Sequence, residues 1–390
     1  MNIMGSTGCL WSFSIPILLH VLLSRSLATQ DYDDYLNEGE PNATTTCENV
    51  LFPRSFRGEL NNTFLSISAT SMDYLKSPIT VLVIPFIYTL VFLVGLPANG
   101  IALWVLMTKV KKMTSTVFLM NLAVADLLLI LVLPFKILYY FMGNNWIFGE
   151  LMCRAVTSFF YGNMYCSVLL LMSISIDRYL AVVHPFFSRR FRSQAFAIAI
   201  CSISWLISVL CTIPLTTIQQ SYLLQNADIT VCHDALPRQE QEDYLFYYFM
   251  TTIVVCFILP LVIIIICYIS VIQALISSGE KYAHAIKLSV LVLVIVIIFL
   301  TPSNVVLLIH YSKHCLKSYG NLYAVYMVCL TVSAINSCVD PFVYYYVSEE
   351  FRDKVRHRFR KSSKISITSV KTSKDTLPAS YSNSCSHSVL

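Results

Sequence analysis

The sequence predicts an all-α membrane protein: a seven-transmembrane helix bundle with its N-terminus outside and a short amphipathic helix after the seventh span. Three observations predict it. Seven long apolar stretches each hold the roughly 20 apolar residues a helix needs to cross a bilayer. Charged residues make up 13% of the 390-residue chain and hydrophobic residues 56%, whereas a soluble domain carries about 25% charge. The basic residues cluster on alternate connecting loops, which sets the direction of threading. The charge deficit excludes an ordinary soluble protein, a disordered chain and a nucleic-acid binder.

The elements follow in order. An apolar run from Leu10 to Leu23 ends in Ser26-Leu27-Ala28. Its length and its small terminal residues suit a signal peptide over 1–28. It lacks an N-terminal Lys or Arg, and the other reading, an extra anchor, needs a longer run. The polar leader over 29–77 holds eight acids and three bases. It also carries the sequons Asn42-Ala43-Thr44 and Asn61-Asn62-Thr63, which fit a glycosylated outer segment. The spans are expected near 79–107, 115–141, 151–182, 195–217, 244–275, 284–311 and 320–346. Such long continuous runs read as helices, and membrane helices tolerate the internal prolines Pro97, Pro134, Pro214, Pro260, Pro302 and Pro341 when neighbours satisfy the freed carbonyls. Lys109, Lys111 and Lys112 follow the first span; Arg178, Arg189, Arg190 and Arg192 the third; Lys281 and Lys287 the fifth; and Arg352 to Lys364 the seventh. That side is therefore cytoplasmic. Residues 348–361 space Phe351, Val355 and Phe359 four apart beside a basic face, the pattern of a helix lying on the membrane surface. The tail over 362–390 holds 13 Ser or Thr and too few apolar groups to fold. The chain shows no internal repeat, which argues against transporters built from repeated halves.

Most of the 13 cysteines lie inside spans and read as small buried hydrophobes. Cys153, at the start of the third span, and Cys232, in the long outer loop, face an oxidising compartment. A disulfide between them would pin that loop over the bundle. Cys47 and Cys315 are also external; they could pair or stay free. Charges inside a membrane are costly and usually functional. Asp126 lies mid-span and Asp340 opens Asp340-Pro341-Phe342-Val343-Tyr344, with Asn99, Ser167 and Asn336 as polar partners on other spans. This set of oxygens would suit a small hard cation such as Na⁺ at Asp126; the rival reading is polar glue between helices. Asp177-Arg178-Tyr179 closes the third span and alone is no more than an interfacial anchor.

Taken in order, Asn99, Asp126, Cys153, Asp177-Arg178-Tyr179, Trp205, Pro260 with Tyr268, Pro302, and Asp340-Pro341-x-x-Tyr344 resemble the rhodopsin-like G-protein-coupled receptors over roughly residues 79–361. A narrower set resembles the protease-activated receptors: Cys232-His233-Asp234, Gly143-Asn144-Asn145-Trp146, Phe160-Tyr161-Gly162-Asn163-Met164-Tyr165, Thr301-Pro302-Ser303-Asn304 and Asn336-Ser337-Cys338-Val339-Asp340-Pro341. The sixth span departs from the general receptor pattern, because Phe299-Leu300-Thr301-Pro302 has no tryptophan. It also lacks an acid at its cytoplasmic start, so Arg178 is expected to pair with Asp177 at rest.

The resemblance gives meaning to Leu51-Phe52-Pro53-Arg54-Ser55-Phe56-Arg57-Gly58 in the leader. An arginine there fits the acidic pocket of a trypsin-like protease, and Pro53 presents an extended strand. Read alone, Arg54 is also a plain linker residue. With the resemblance, residues 29–54 become a propeptide and 55–78 a tethered ligand plus leader. Ser55, Phe56, Arg57, Gly58, Glu59 and Leu60 would then form the ligand, headed by a new ammonium at Ser55. Its tether of about 23 residues reaches up to about 75 Å and raises its local concentration to roughly millimolar. The cationic ligand calls for acids, supplied by Asp234, Glu240, Glu242 and Asp243. By resemblance, His233, Leu307, His310, Tyr311, Tyr323 and Tyr326, with Tyr161 and Tyr165, line the pocket. The plain reading of each tyrosine is an interfacial belt residue.

Arg54 and its neighbours favour thrombin, whereas the body looks more like the trypsin-activated type. Family resemblance implies Gq-type coupling through Arg178, Tyr268 and Tyr344, with tail phosphorylation by receptor kinases and arrestin recruitment. Ser388-Val389-Leu390 resembles a PDZ-binding end, at a level that chance equals. Rival readings are a free-peptide receptor, a protease-presenting cofactor for a neighbouring receptor, a channel or transporter, and a membrane enzyme. The last lacks His-Glu-x-x-His, Gly-x-Ser-x-Gly and paired intramembrane aspartates at protease spacing.

Overall fold

Among the described residues, seven helices are long and apolar enough to cross a membrane: Ser71–Thr108, Thr114–Phe141, Gly149–Val183, Gln194–Thr217, Tyr248–Ser277, Ala285–Val306 and Ala324–Phe342. They are called here the first to seventh spans. The computed structural model describes residues 56–61, 64–108, 110, 113–186, 193–225, 227–237, 244–279, 283–312 and 322–347. The expected signal peptide, the propeptide over 29–54 with Asn42, Cys47 and the Arg54-Ser55 bond, the surface helix over 348–361 and the tail lie outside the described residues. So do Glu240, Glu242, Asp243 and Cys315. The seventh-span helix runs to Val347.

The first span starts earlier than the expected residue 79. Ser68 caps a short helix, Ala69–Leu75, by accepting from the Ser71 amide, and side-chain capping of free amides favours a helix start. The polar residues in Ala69–Leu75 hide this turn from hydropathy.

Among the described residues, three turns widen to π geometry, at Ile79–Val83, Val254–Ile258 and Val296–Leu300. Each ends two residues before a proline: Pro85, Pro260 and Pro302. A proline has no amide hydrogen and its ring clashes with the carbonyl four residues back. A wider turn relieves that clash. At the sixth span, side chains bond to carbonyls of this turn: Ser333 Oγ donates to the Phe299 carbonyl at 2.6 Å. Asn304 Nδ2 donates to the Leu300 carbonyl at 2.9 Å. In the absence of the tryptophan, the Ser303–Ser333 contact at 3.0 Å ties this bend to the seventh span.

The bundle core falls into two clusters. One lies at the leader end and is rich in rings: Tyr88, Tyr139, Tyr140, Trp146, Phe160, Tyr161, Tyr165 and Tyr326. The other is aliphatic, around Leu122, Ala123, Leu170 and Ile264, and includes Tyr268 and Tyr344. The outward faces are apolar and exposed, as at Leu93, Leu206, Leu259 and Ile276. A belt of this size on a folded chain is covered by lipid.

Over the leader end lies a small sheet that hydropathy does not announce. Its strands are β1 (Phe56–Asn61), β2 (Phe64–Ile67), β3 (Ser221–Leu224), β4 (Thr230–Cys232) and β5 (Ala235–Pro237). Their order is β4-β3-β2-β1-β5. The leader therefore contributes two strands inserted between strands of the loop joining the fourth and fifth spans. β1 runs antiparallel to β2 and parallel to β5, with Phe56 opposite Ala235. The leader, whose length is ample for folding back, lies over the bundle as strands β1 and β2.

Candidate functional site

The sheet is fastened to the bundle as a lid. A disulfide joins Cys153 to Cys232 across 79 residues. One turn before Cys153, Glu150 accepts hydrogen bonds from the Gln220 amide (2.8 Å), the Ser221 amide (2.7 Å) and the Ser221 hydroxyl (2.6 Å). Arg154 pairs with the same carboxylate. On the other side, the Trp146 amide donates to the Thr230 carbonyl at 2.7 Å, and the Thr230 amide donates to Asn145 Oδ1 at 3.1 Å. The β3–β4 hairpin is thus pinned along both edges.

Between β4 and β5 the chain reverses at His233, whose φ is +68°. A left-handed backbone costs a non-glycine residue about 1 kcal/mol. Its own hydrogen bonds offset this. The His233 amide donates to the Gln220 carbonyl at 2.8 Å. Its Nδ1 lies 2.7 Å from Gln220 Oε1 and its Nε2 lies 3.2 Å from the Tyr161 hydroxyl. Because Gln220 Oε1 can only accept, Nδ1 carries a proton and donates to it.

The reversal drives His233 and Asp234 down into the bundle, where both are buried. Asp234 accepts from the Tyr139 hydroxyl at 2.8 Å. Lys136, one turn earlier on the second span, is close enough to attract it electrostatically. The lysine ammonium sits 4.7 Å from the centre of the Phe160 ring, a distance at which the ring face stabilises a cation. Tyr161 packs edge-on against His233 at 5.3 Å and stacks on Tyr165 at 6.5 Å. Tyr88 bonds to Thr331 and lies near Tyr326. The result is a ring-lined basin with one buried carboxylate under a peptide strand.

Of the expected pocket residues, the structure brings together His233, Asp234, Tyr161, Tyr165 and Tyr326. Leu307, His310, Tyr311 and Tyr323 lie on helices Thr301–Ser312 and Leu322–Ala334, and their side chains lie outside the described residues, as do those of Phe56, Arg57 and Asn61. Sequence reasoning missed Lys136, Tyr88, Tyr139, Tyr140, Glu150 and Gln220. Lys136 could have been found by the rule that singled out Asp126, since it is a charge inside an apolar span.

Below the basin a polar chain crosses the bundle. Asn99 Nδ2 donates to the Ser337 carbonyl at 2.7 Å, and Ser337 Oγ donates to Asp126 Oδ1 at 2.9 Å. Tyr344 reaches Asp126 Oδ2 at 3.4 Å, and Asn336 Nδ2 donates to Asp340 Oδ2 at 2.9 Å. Ser167 bonds within its own helix to Asn163 at 3.4 Å. As drawn, these bonds glue the first, second and seventh spans. The buried amide oxygens of Asn99 and Asn336 have no hydrogen-bond partner among the described residues. Asn163, Ser167, Asn336 and Ser337 line a cavity of about 20 Å³, room for one water-sized guest.

At the far end Asp177 accepts from the Ser115 hydroxyl at 2.6 Å. Tyr268 bonds to Ser175 beside Arg178. Tyr179 meets His184 at 3.0 Å, and Trp205 donates to Asn121 at 3.0 Å. Tyr268 is therefore at Arg178 already, whereas Tyr344 is held at Asp126.

A disulfide-pinned lid over a seven-helix bundle, with an Asp-Arg-Tyr end on the third span, defines a rhodopsin-type receptor. Residues 98–344 match the family described as 7 transmembrane receptor (rhodopsin family). Within it the similarity narrows. The chain is 45% identical over 320 residues to proteinase-activated receptor 4 of Rattus norvegicus, covering 81% of each chain. It is 42% identical over 286 residues to human proteinase-activated receptor 3, covering 73% of this chain and 76% of the relative. It is 40% identical over 342 residues to human proteinase-activated receptor 2, covering 84% and 85%. The chain belongs to the proteinase-activated receptors. It is a receptor rather than an enzyme, a multi-pass protein of the plasma membrane.

Proposed function

We propose that an extracellular trypsin-like protease, thrombin or trypsin, cuts after Arg54 and so turns Ser55-Phe56-Arg57-Gly58-Glu59-Leu60 into a tethered agonist. The lid faces the extracellular side. The observation that carries this reading is the placement of β1: the candidate ligand already lies in the lid sheet, with Phe56 opposite Ala235. Ser55 is one bond from Phe56 and Asp234 is one bond from Ala235. An ammonium created at Ser55 therefore needs to travel little to meet the buried carboxylate of Asp234. Before the cut, that nitrogen is an uncharged amide still joined to the propeptide. Charge and hydrogen bonding to a buried carboxylate contribute about 1.5–3 kcal/mol, and tethering supplies a local concentration of about millimolar.

The agonist acts by binding the open bundle more tightly than the closed one. Opening frees Arg178 from Tyr268 and presents it to a heterotrimeric G protein, of Gq type, so that calcium rises. Phosphorylated tail residues such as Ser362, Ser363, Thr368 and Ser369 then recruit arrestin, and Ser388-Val389-Leu390 serves a PDZ protein. A sodium ion at Asp126 restrains the closed state; Na⁺-dependence of agonist affinity that persists in Asp126→Asn would sink that part.

The reading is tested with intracellular calcium in cells carrying wild type or Arg54→Ala. Each is challenged with thrombin, with trypsin and with Ser-Phe-Arg-Gly-Glu-Leu amide. Arg54→Ala is expected to lose the protease response and keep the peptide response. A protease response that survives the substitution places activation at another bond. Silence of the wild type to protease and peptide, despite cleavage at the surface, favours the protease-presenting cofactor.

A further inference from the structure

We infer that the segment just after the ligand, Phe64–Ile67, is a built-in docking strand that sets the ligand's register, with Leu65 reading the missing side chain at Gly58. The inference rests on the tethered-ligand reading above and adds a positioning element that lies outside both the ligand and the transmembrane basin.

β1 does not meet the loop strands on its own. It pairs with β2 through Gly58–Ile67, Glu59–Ser66, Leu60–Leu65 and Asn61–Phe64. β2 in turn pairs with β3 through Phe64–Leu223 and Leu65–Leu224. The Gln225 amide donates to the Leu65 carbonyl at 3.1 Å. The ligand thus arrives as one arm of a hairpin whose other arm is anchored to the disulfide-held loop. The two arms are separated by residues 62 and 63 alone, so closing this hairpin costs little chain entropy.

Leu65 is completely buried, in the same cluster as Leu224, Val231 and Leu236. A Cβ placed on Gly58 would lie 2.4 Å from Leu65 Cγ, 2.5 Å from Cδ1 and 2.9 Å from Cδ2. Carbon atoms in contact prefer about 3.5–4.0 Å, and a fully buried leucine has no room to swing aside. Any slip of β1 along β2 would bring Arg57, Glu59 or a larger residue against Leu65. Slips are resisted wherever one face is buried. Leu65 therefore fixes how far along the loop the ligand's first residue sits. A soluble hexapeptide carries no second arm and must find this register from β5 alone.

The test uses full-length receptors with an epitope ahead of Arg54, so that epitope loss reports cleavage and surface staining reports folding. Wild type, Gly58→Ala, Leu65→Ala and the double variant are compared in protease-evoked calcium. Gly58→Ala is expected to lower the response at least tenfold with cleavage unchanged. The double variant, in which the three clashing atoms are gone, is expected to return to at least half the Leu65→Ala response. A full response in Gly58→Ala, or a double variant as silent as Gly58→Ala, overturns the inference and assigns Gly58 to another contact. If Leu65→Ala fails to reach the surface, hydrogen exchange on the cleaved wild-type receptor decides. Protected amides over 64–67 support the docking strand, and amides exchanging as fast as free chain overturn it. A wild type that ignores cleavage at Arg54 removes the tethered ligand itself, and this inference with it. A wild type that responds through Arg54 while the double variant stays silent removes the docking strand alone.

Discussion

Asp234→Asn is expected to raise the concentration of Ser-Phe-Arg-Gly-Glu-Leu amide needed for half-maximal calcium by roughly 100-fold. The substitution keeps the shape and still offers an oxygen to the Tyr139 hydroxyl, which donates to Asp234 at 2.8 Å. What it removes is the charge. Losing a charge-assisted hydrogen bond in a buried site costs about 1.5–3 kcal/mol, and every 1.4 kcal/mol is tenfold. The natural control is the ligand. Acetylating the peptide's amino group removes the partner charge and should cost about as much on the wild type. On Asp234→Asn the same acetylation should cost little, because two groups that act on each other are not additive. Equal losses in both receptors would show that the ammonium binds elsewhere. Lys136 makes the outcome more informative: it competes for the same carboxylate, so Lys136→Met should sharpen the peptide response rather than blunt it.

The second large effect belongs to the lid. Cys232→Ser opens a disulfide that spans 79 residues, and loop-closure entropy assigns a bridge of that length about 4.5 kcal/mol. Peptide and protease responses should fall more than 100-fold, with fewer receptors at the surface. Glu150→Gln is the graded companion. Gln can donate where the carboxylate accepted from two amides and a hydroxyl, so the β3 end loosens while the disulfide holds. A fall of about tenfold is expected, read as peptide potency at equal surface density. If Cys232→Ser retained wild-type potency, the lid would not shape the binding site.

Much of this was legible from residues alone, for physical reasons. The bilayer imposes a long apolar run on every span, so seven spans stand out whatever their packing. Boundaries were less legible where a cap rather than hydropathy starts the helix, as Ser68 does ahead of the first span. Cys153 with Cys232 and the Asp126 chain announced themselves because each is an unusual residue in its setting, whereas His233 came from the family resemblance and Asp234 from a cationic ligand's need for acids. The lid sheet did not. Its strands are three to six residues long, and such short polar-flanked runs carry no periodicity that separates them from loop. Long-range pairing between the leader and a loop more than 150 residues away leaves no local trace either. Gly58 shows the same gap: its requirement comes from Leu65 across the sheet, which the chain order does not reveal. Tyr88, Tyr139 and Tyr140 were hidden for the opposite reason, since tyrosines near span ends are common at any membrane interface.

The most direct measurement sequences the new N-terminus and records calcium from the same cells over a protease series. The receptor is recovered after each dose, its free amino terminus is labelled, and the labelled peptide is read by mass spectrometry. The account predicts that chains beginning at Ser55 appear with the same dose dependence as calcium. It also predicts that blocking the amino group as it forms removes the signal. Calcium without a Ser55 terminus, or a full yield of Ser55 termini whose chemical blocking leaves calcium unchanged, would contradict it.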